Sequence, residues 1–208
     1  ILIDPGHGGI DGGAKSKNGT IEKDITSKLI GNYQSFNFLT SLQRIEISDI
    51  ITSQTKANEL REILWLRSPR STIWLQRSHS FTKTTALMSM SGYIIGLGDR
   101  HPSNIMIQRH TGRVIHIDFA DSFEVALFRK VYPERVPFRL TRMIQNSLDG
   151  GKIEGVFRRI CEDVLWLLKE NKSSIIAQLE VFIHEPIFTE NGIRSILQAN
   201  NILERVIA

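Results

Sequence analysis

The sequence predicts a mainly helical α+β domain that contains one small β-hairpin. Three observations carry that expectation. Apolar residues recur at helical spacing through most of the chain beyond Asn32, as in "ANELREILWLR". Two short runs rich in β-branched residues, "NIMIQ" and "RVIHIDF", are joined only by Arg109-His110-Thr111-Gly112, which is hairpin spacing. The chain has 208 residues and is 41% apolar, enough for one good core or two small ones.

Taken in order, Ile1 to Asp4 is a short apolar run stopped by Pro5-Gly6, and "GHGGIDGG" is a loop by its glycine content. Thr20, Lys23 and Asp24 are placed to open a helix through Leu29 and Ile30. In "FLTSLQRIEISDIITS" Leu42 pairs with Ile45 at helical spacing, and Leu60 does so with Ile63 and Leu64. Ser68-Pro69 breaks that pattern. "TTALMSMSGYIIGLG" is apolar nearly all round, as a helix inside a domain is, and Gly96 and Gly98 end it. Met88 and Met90 are read there as core residues. The hairpin follows. Ala120 to Arg142 has no clean period and contains Pro133 and Pro137, so a long ordered loop with a helical turn is expected, of the kind that usually serves function. Past Gly150-Gly151 two further helices are expected. One has a stripe of Ile160, Val164, Leu167 and Leu168, the other a stripe of Ile175, Leu179, Phe182 and Ile183. Glu185-Pro186 ends the pair, and "GIRSILQANNILERVIA" reads as a last amphipathic helix.

Charge and cysteine content narrow the function classes. A formal net charge of +4 is mild for this size, so no nucleic-acid partner is expected. Cys161 is the single cysteine, which excludes an internal disulfide and a cysteine-rich zinc site and fits a reducing compartment. No apolar run reaches the roughly 20 residues of a membrane span, and "ILIDPGHGG" has neither a basic leader nor a cleavage motif. A soluble, cytoplasmic protein is expected.

The chemistry is concentrated in "GLGDRHPSNIMI" and "VIHIDFADSFE". Phosphoryl transfer needs a carboxylate to orient the attacking hydroxyl and hard oxygen ligands to hold Mg²⁺ against nucleotide phosphates. Asp99 and Asn104 have the Asp-x-x-x-x-Asn spacing of a kinase catalytic loop. Asp118 ends the second strand run, and a hairpin that brings the ends of "NIMIQRHTGRVIHID" together places Asn104 and Asp118 side by side. His116 on the same hairpin is read as structural, and His110 at its turn as solvated.

The order Asp-Arg-His, with "LWLRSP", "MSMSGYIIGLGDRHPSN", "HIDFADSFEVA" and "VPFRLTRM", resembles the target-of-rapamycin (TOR) type protein kinases of the phosphatidylinositol-3-kinase-related branch. The resemblance runs from about Tyr33 to the end. It implies a kinase C-lobe, with Asp99 as catalytic base, His101 stabilising charge on the transferred phosphoryl group, Asn104 and Asp118 as Mg²⁺ ligands with ATP, and Arg100 as an anchor of the loop. "DSFEVALFRKVYPERVPFRLT" mixes acids and bases where lipid kinases of the branch cluster lysines, which implies a protein Ser/Thr substrate. "YQSFNFLTSLQRIEISDIITS" lies where TOR kinases dock a WD-repeat propeller subunit, an implied partner. Two departures stand out. Ala120 replaces the glycine of the family's Asp-Phe-Gly, removing a residue that takes positive φ without strain. No Gly-rich nucleotide loop or strand-borne lysine precedes residue 33, so an absent N-lobe and weak autonomous ATP turnover are expected. By the same resemblance the family's terminal FATC segment is expected to be absent.

The opening "DPGHGGIDGGAKSKNGTIEKD" resembles the start of zinc-dependent N-acetylmuramoyl-L-alanine amidases. That resemblance implies His7 and Glu22 as Zn²⁺ ligands. A catalytic zinc needs a third protein ligand and an open position. His79, the histidine at a suitable distance, lies in a helical, polar setting, so a remnant without chemistry is expected. The expected division is therefore an amidase-like fragment over 1–30 and a kinase C-lobe over 31–208. Three functions follow: a Ser/Thr kinase catalytic region first, then a zinc amidase fragment or a non-catalytic partner-binding C-lobe.

Overall fold

Helix α1, Ser41–Gln54, starts where the side chains of Thr40 and Gln43 cap it reciprocally in the computed structural model, which describes residues 40–129 and 134–184. Gln43 N–H donates to Thr40 Oγ1 (3.3 Å) and Thr40 N–H to Gln43 Oε1 (2.9 Å), so two otherwise orphaned donors are satisfied. The buried face is Ile47, Ser48 and Ile51. Leu42 and Ile45, expected to form the apolar stripe, stand exposed instead. The difference is rotational: Ile47 and Ile51 are also four apart, and theirs is the face that is buried.

Helix α2, Glu59–Leu66, carries Glu59 and Glu62 in its first turn, where carboxylates complement the helix dipole. Leu64 is buried and Leu60 packs against the core, while Ile63 is exposed. The chain turns at Ser68-Pro69 and enters α3, Ser71–Ile94, the longest helix described, with 24 residues. Its buried face is largely small or hydroxylated: Ser78, Thr82, Thr85, Ala86, Ser89 and Gly92, with Phe81, Met90 and Ile94. The expectation of a helix apolar all round is therefore corrected, since Leu87 is exposed and the threonines meet their needs within the helix. Thr82 Oγ1 donates to Ser78 O (2.9 Å) and Thr85 Oγ1 to Phe81 O (2.7 Å). Small residues let a neighbouring helix approach closely. The helix stops at Ile94: Leu97 N–H reaches back to Gly92 O (2.8 Å) across Gly96, whose φ of 61° suits glycine.

The hairpin forms as expected. Strands β1, Ile105–Ile107, and β2, Val114–His116, pair antiparallel with Ile105 opposite His116 and Met106 opposite Ile115. Period-two alternation sends Ile105, Ile107 and Val114 into the core and leaves Met106, Ile115 and Ile117 exposed. The loop beyond contains the expected helical turn, a 3₁₀ turn over Val125–Phe128. Helix α4, Arg142–Ser147, is capped by Thr141 and tied to the α1–α2 corner, Arg142 Nη2 donating to Thr55 Oγ1 (2.6 Å) and Asn146 Nδ2 to Ala57 O (3.1 Å).

Helices α5, Val156–Glu170, and α6, Lys172–His184, follow. α5 is the main packing partner of α3. Val164 is buried, Ile160 packs on the core and Leu168 is half-buried, but Leu167 of the expected stripe is exposed. Ile175 and Leu179 of α6 are half-buried. Phe182 and Ile183 fall where side chains are not described, and Glu185-Pro186 and the last expected helix lie outside the described residues, as does everything before Thr40. The core joins Leu64, Phe81, Ala86, Val114, Leu148 and Phe157, so both strands hang on the side of α3. Among the described residues no helix is long and apolar enough to cross a membrane.

Candidate active site

The loop between α3 and β1 is organised by a buried cation. Arg100, 7% exposed, donates through Nε to Gly98 O (2.7 Å), through Nη1 to Ile117 O (2.8 Å) and through Nη2 to Asp118 O. One rigid guanidinium fork thus ties the start of the loop to the chain leaving β2. Burial pulls its pKa below the usual arginine range, opposed by the neighbouring charges of Asp99, Asp118 and Glu134. The expected anchoring role of Arg100 matches these contacts.

Asp99 and Asn104 meet around this anchor. Asn104, 7% exposed, donates from Nδ2 to Asp99 O (2.9 Å) and lies 3.5 Å from Asp99 Oδ2. His101 Nε2 stands 3.7 Å from the same carboxylate oxygen. Ile117 N–H donates to Asn104 O (3.0 Å), which extends the hairpin ladder by one rung and sets Asp118 next to the partner position of Asn104. The register therefore puts Ile117 opposite Asn104, with Asp118 one residue beyond the expected pairing. Asp99 and Asp118 both take positive φ, 57° and 58°, a conformation costing roughly 1–2 kcal/mol for a non-glycine residue. The Arg100 bonds on either side offset that strain.

Ala120 raises no such difficulty. Positive φ falls on Asp118, Phe123 and Glu124 rather than on Ala120, whose N–H donates to Asp118 Oδ1 (3.2 Å). The methyl group in place of the motif glycine is accommodated without strain. His116, read as structural, has a buried Nδ1 without a partner; burial first, and the Arg100 charge second, push its pKa down to about 4. His110 is exposed at the turn, and its carbonyl accepts from Arg77 Nε (3.0 Å). His79 sits on α3 and faces Asp149 at 3.1 Å, while His7 and Glu22 lie outside the described residues. Among the described residues no group of three or more His, Cys, Asp or Glu is placed to hold a metal ion.

Three charged residues of the site escaped the reading of the sequence. Arg129 Nη1 lies 3.4 Å from Asp99 Oδ1, its Nη2 donates to Asp121, and Asp99 N–H donates to Glu134 Oε2 (2.9 Å). The mixture of charges in "DSFEVALFRKVYPER" was visible, but the contacts with Asp99 span 30 residues or more and have no local period.

The family model of phosphatidylinositol 3- and 4-kinases matches residues 16–191. The chain belongs to the phosphatidylinositol 3- and 4-kinase family. Within that family it is 47% identical over 152 residues to the serine/threonine-protein kinase mTor of Drosophila melanogaster, covering 73% of this chain and 6% of that protein. It is 49% identical over 152 residues to the serine/threonine-protein kinase TOR2 of Saccharomyces cerevisiae, with the same coverages of 73% and 6%. This member of the kinase family thus spans a small part of the relatives it matches. A solved structure, the FAT and kinase domain of CtTel1, superposes with a TM-score of 0.76 at 34% identity over 90% of this chain and 13% of that one. Among the described residues the mainly helical architecture with a two-stranded antiparallel sheet matches that kinase-like domain fold.

Proposed function

We propose that this chain carries the catalytic-loop side of a TOR-type protein serine/threonine kinase that uses Mg²⁺ and ATP. The observation that carries the reading is the convergence of Asp99, Asn104 and Asp118 around Arg100 at one end of a hairpin with an exposed apolar face. The donor set fits a hard divalent cation. Among the described residues no hydrogen bond engages Asn104 Oδ1 or Asp118 Oδ2, and both are oxygens of the kind magnesium prefers. Beside them Met106, Ile115 and Ile117 present an apolar surface to solvent, suited to the flat base of a nucleotide whose phosphates lie towards the oxygens.

In this reading Asn104 and Asp118 hold magnesium, which supplies positive charge against the nucleotide phosphates. Asp99 orients the attacking hydroxyl and receives its proton. The neighbouring imidazole of His101 supplies a donor towards the transferred phosphoryl group. Arg100 keeps both carboxylates in register through the backbone and does not touch substrate. Similarity to named serine/threonine kinases supports a protein substrate. A WD-repeat propeller subunit is the proposed partner, docking at the start of α1, where Leu42 and Ile45 stand exposed.

The test is calorimetric titration of the chain with ADP in the presence and absence of Mg²⁺. Asp118→Asn and Asn104→Ala should each weaken the Mg²⁺-dependent part of binding by about tenfold or more, as removal of one oxygen ligand does. Binding that ignores Mg²⁺, or that both variants leave intact, would sink the assignment.

A further inference from the structure

Two tips of the fold meet at the N-terminal end of α3, away from the catalytic loop. One is the α2–α3 corner from Leu66 to Arg70, and the other is the hairpin turn from Gln108 to Arg113. Arg77 holds them side by side. Its Nε donates to His110 O (3.0 Å), and its Nη1 donates to Arg67 O (2.6 Å) and Ser68 Oγ (3.2 Å). Gly112 completes the contact, since a Cβ there would stand 2.7 Å from Arg77 O.

The charge on these tips has one sign. No Asp or Glu occurs between Glu62 and Asp99 or between Asp99 and Asp118, so the formally charged side chains of both tips are all arginines. Arg67, Arg70, Arg109 and Arg113 are exposed, and among the described residues none of their guanidinium groups is engaged by a carboxylate. The mild net charge of +4 conceals this local excess. Glu62, one helical turn before Leu66, is the nearest acid along the chain.

Apolar side chains stand beside the arginines. Leu66 is 79% exposed and Trp65 52%, and Trp65 is held edge-on against Trp74 with ring centroids 5.2 Å apart. Packing thus fixes the indole before any contact is made, which lowers the ordering cost of binding. Tryptophan and leucine suit the boundary between headgroups and acyl chains, where arginine meets anionic phosphates. A helix corner and a hairpin turn are convex, a shape that fits a layer of headgroups better than a peptide, which is held in a groove or along a strand.

We propose that the α2–α3 corner and the hairpin turn form a docking surface for an anionic lipid bilayer. Leu66 and Trp65 enter the interface, and Arg67, Arg70, Arg109 and Arg113 meet the headgroups. Asn104 and Asp118 lie at the other end of the hairpin, so docking at the turn anchors the chain and leaves the catalytic loop clear.

The experiment is co-sedimentation of the full chain with vesicles of phosphatidylcholine alone and of phosphatidylcholine containing about 30% phosphatidylserine. Partition onto the anionic vesicles should be about tenfold stronger or more. The double variant Arg109→Glu, Arg113→Glu and the single variant Leu66→Asp should each weaken it about tenfold, whereas Arg109→Lys, Arg113→Lys should keep it. Equal partition onto both vesicles, absence of binding, or undiminished binding by the charge-reversed variant would overturn the proposal. So would full binding by Leu66→Asp, which would mean adsorption without insertion. Tighter binding to a poly-glutamate peptide than to the anionic vesicles would give the surface to an acidic protein instead. The measurement needs neither ADP nor Mg²⁺, so its outcome is independent of the kinase assignment.

Discussion

Arg100 and Cys161 illustrate opposite consequences of burial for single side chains. Arg100 keeps its place because three backbone carbonyls accept from it, so the cost of desolvating a cation is offset by bonds that also shape the site. Cys161 has no such use, and burial first, with Glu162 second, pushes its thiol up to about 11. An unfolded cysteine titrates at about 8.5. At pH 8 alkylation of folded Cys161 by iodoacetamide should therefore run roughly a hundredfold slower than in the denatured chain, because the thiolate is the nucleophile. A rate within a few-fold of the denatured value would refute the burial account. The sign for stability follows. The folded state holds its proton more tightly, so the Cys161 contribution is fully present below about pH 8.5 and is lost as the pH rises through about 11. Asp99, Asn104 and Asp118 were legible in the sequence because their spacing is set by one short loop and one hairpin. Arg129 and Glu134 were not, since their relation to Asp99 exists only once a loop without periodicity has folded back.

Individual elements show where local pattern suffices. The hairpin was readable because alternation and a tight glycine turn both act within a dozen residues of chain. Gly112 has φ 73°, and a Cβ there would stand 2.7 Å from Arg77 O, the residue whose Nε also bonds the His110 carbonyl. Gly150 has nearly the same φ, 69°, but a Cβ added to it would meet nothing within 4 Å. Gly112→Ala should therefore cost about 2–3 kcal/mol and Gly150→Ala about 1 kcal/mol in denaturant unfolding, the difference measuring the clash rather than the dihedral. Equal losses would mean that the clash contributes nothing. Helices α1 and α5 show the limit of local pattern. Their helical nature was legible, but the buried face was not fully so, because Leu42, Ile45 and Leu167 fit a 3.6-residue period as well as the residues that are covered.

For the whole molecule, the packing of α2, α3, α4 and α5 around Phe81 and Leu148 creates a rigid wall to which the hairpin is attached. The same packing leaves the first turn of α1 uncovered, with Leu42 73% and Ile45 57% exposed. If a WD-repeat propeller docks there, the double variant Leu42→Asp, Ile45→Asp should lower its capture by the chain about tenfold or more while leaving the unfolding free energy within about 0.5 kcal/mol of wild type, as surface changes do. Undiminished capture would move the partner elsewhere or remove it. By itself the sequence determined the helical class and the existence of the hairpin, because each depends on contacts between near neighbours in the chain; the register falls one residue away from the expected pairing, with Ile117 rather than Asp118 opposite Asn104. Only the tertiary structure decided which helix faces are buried, that positive φ falls on Asp118 instead of Ala120, and that Arg129 and Glu134 reach Asp99. Those outcomes depend on long-range packing and on charges meeting across a folded loop, and no local period encodes either.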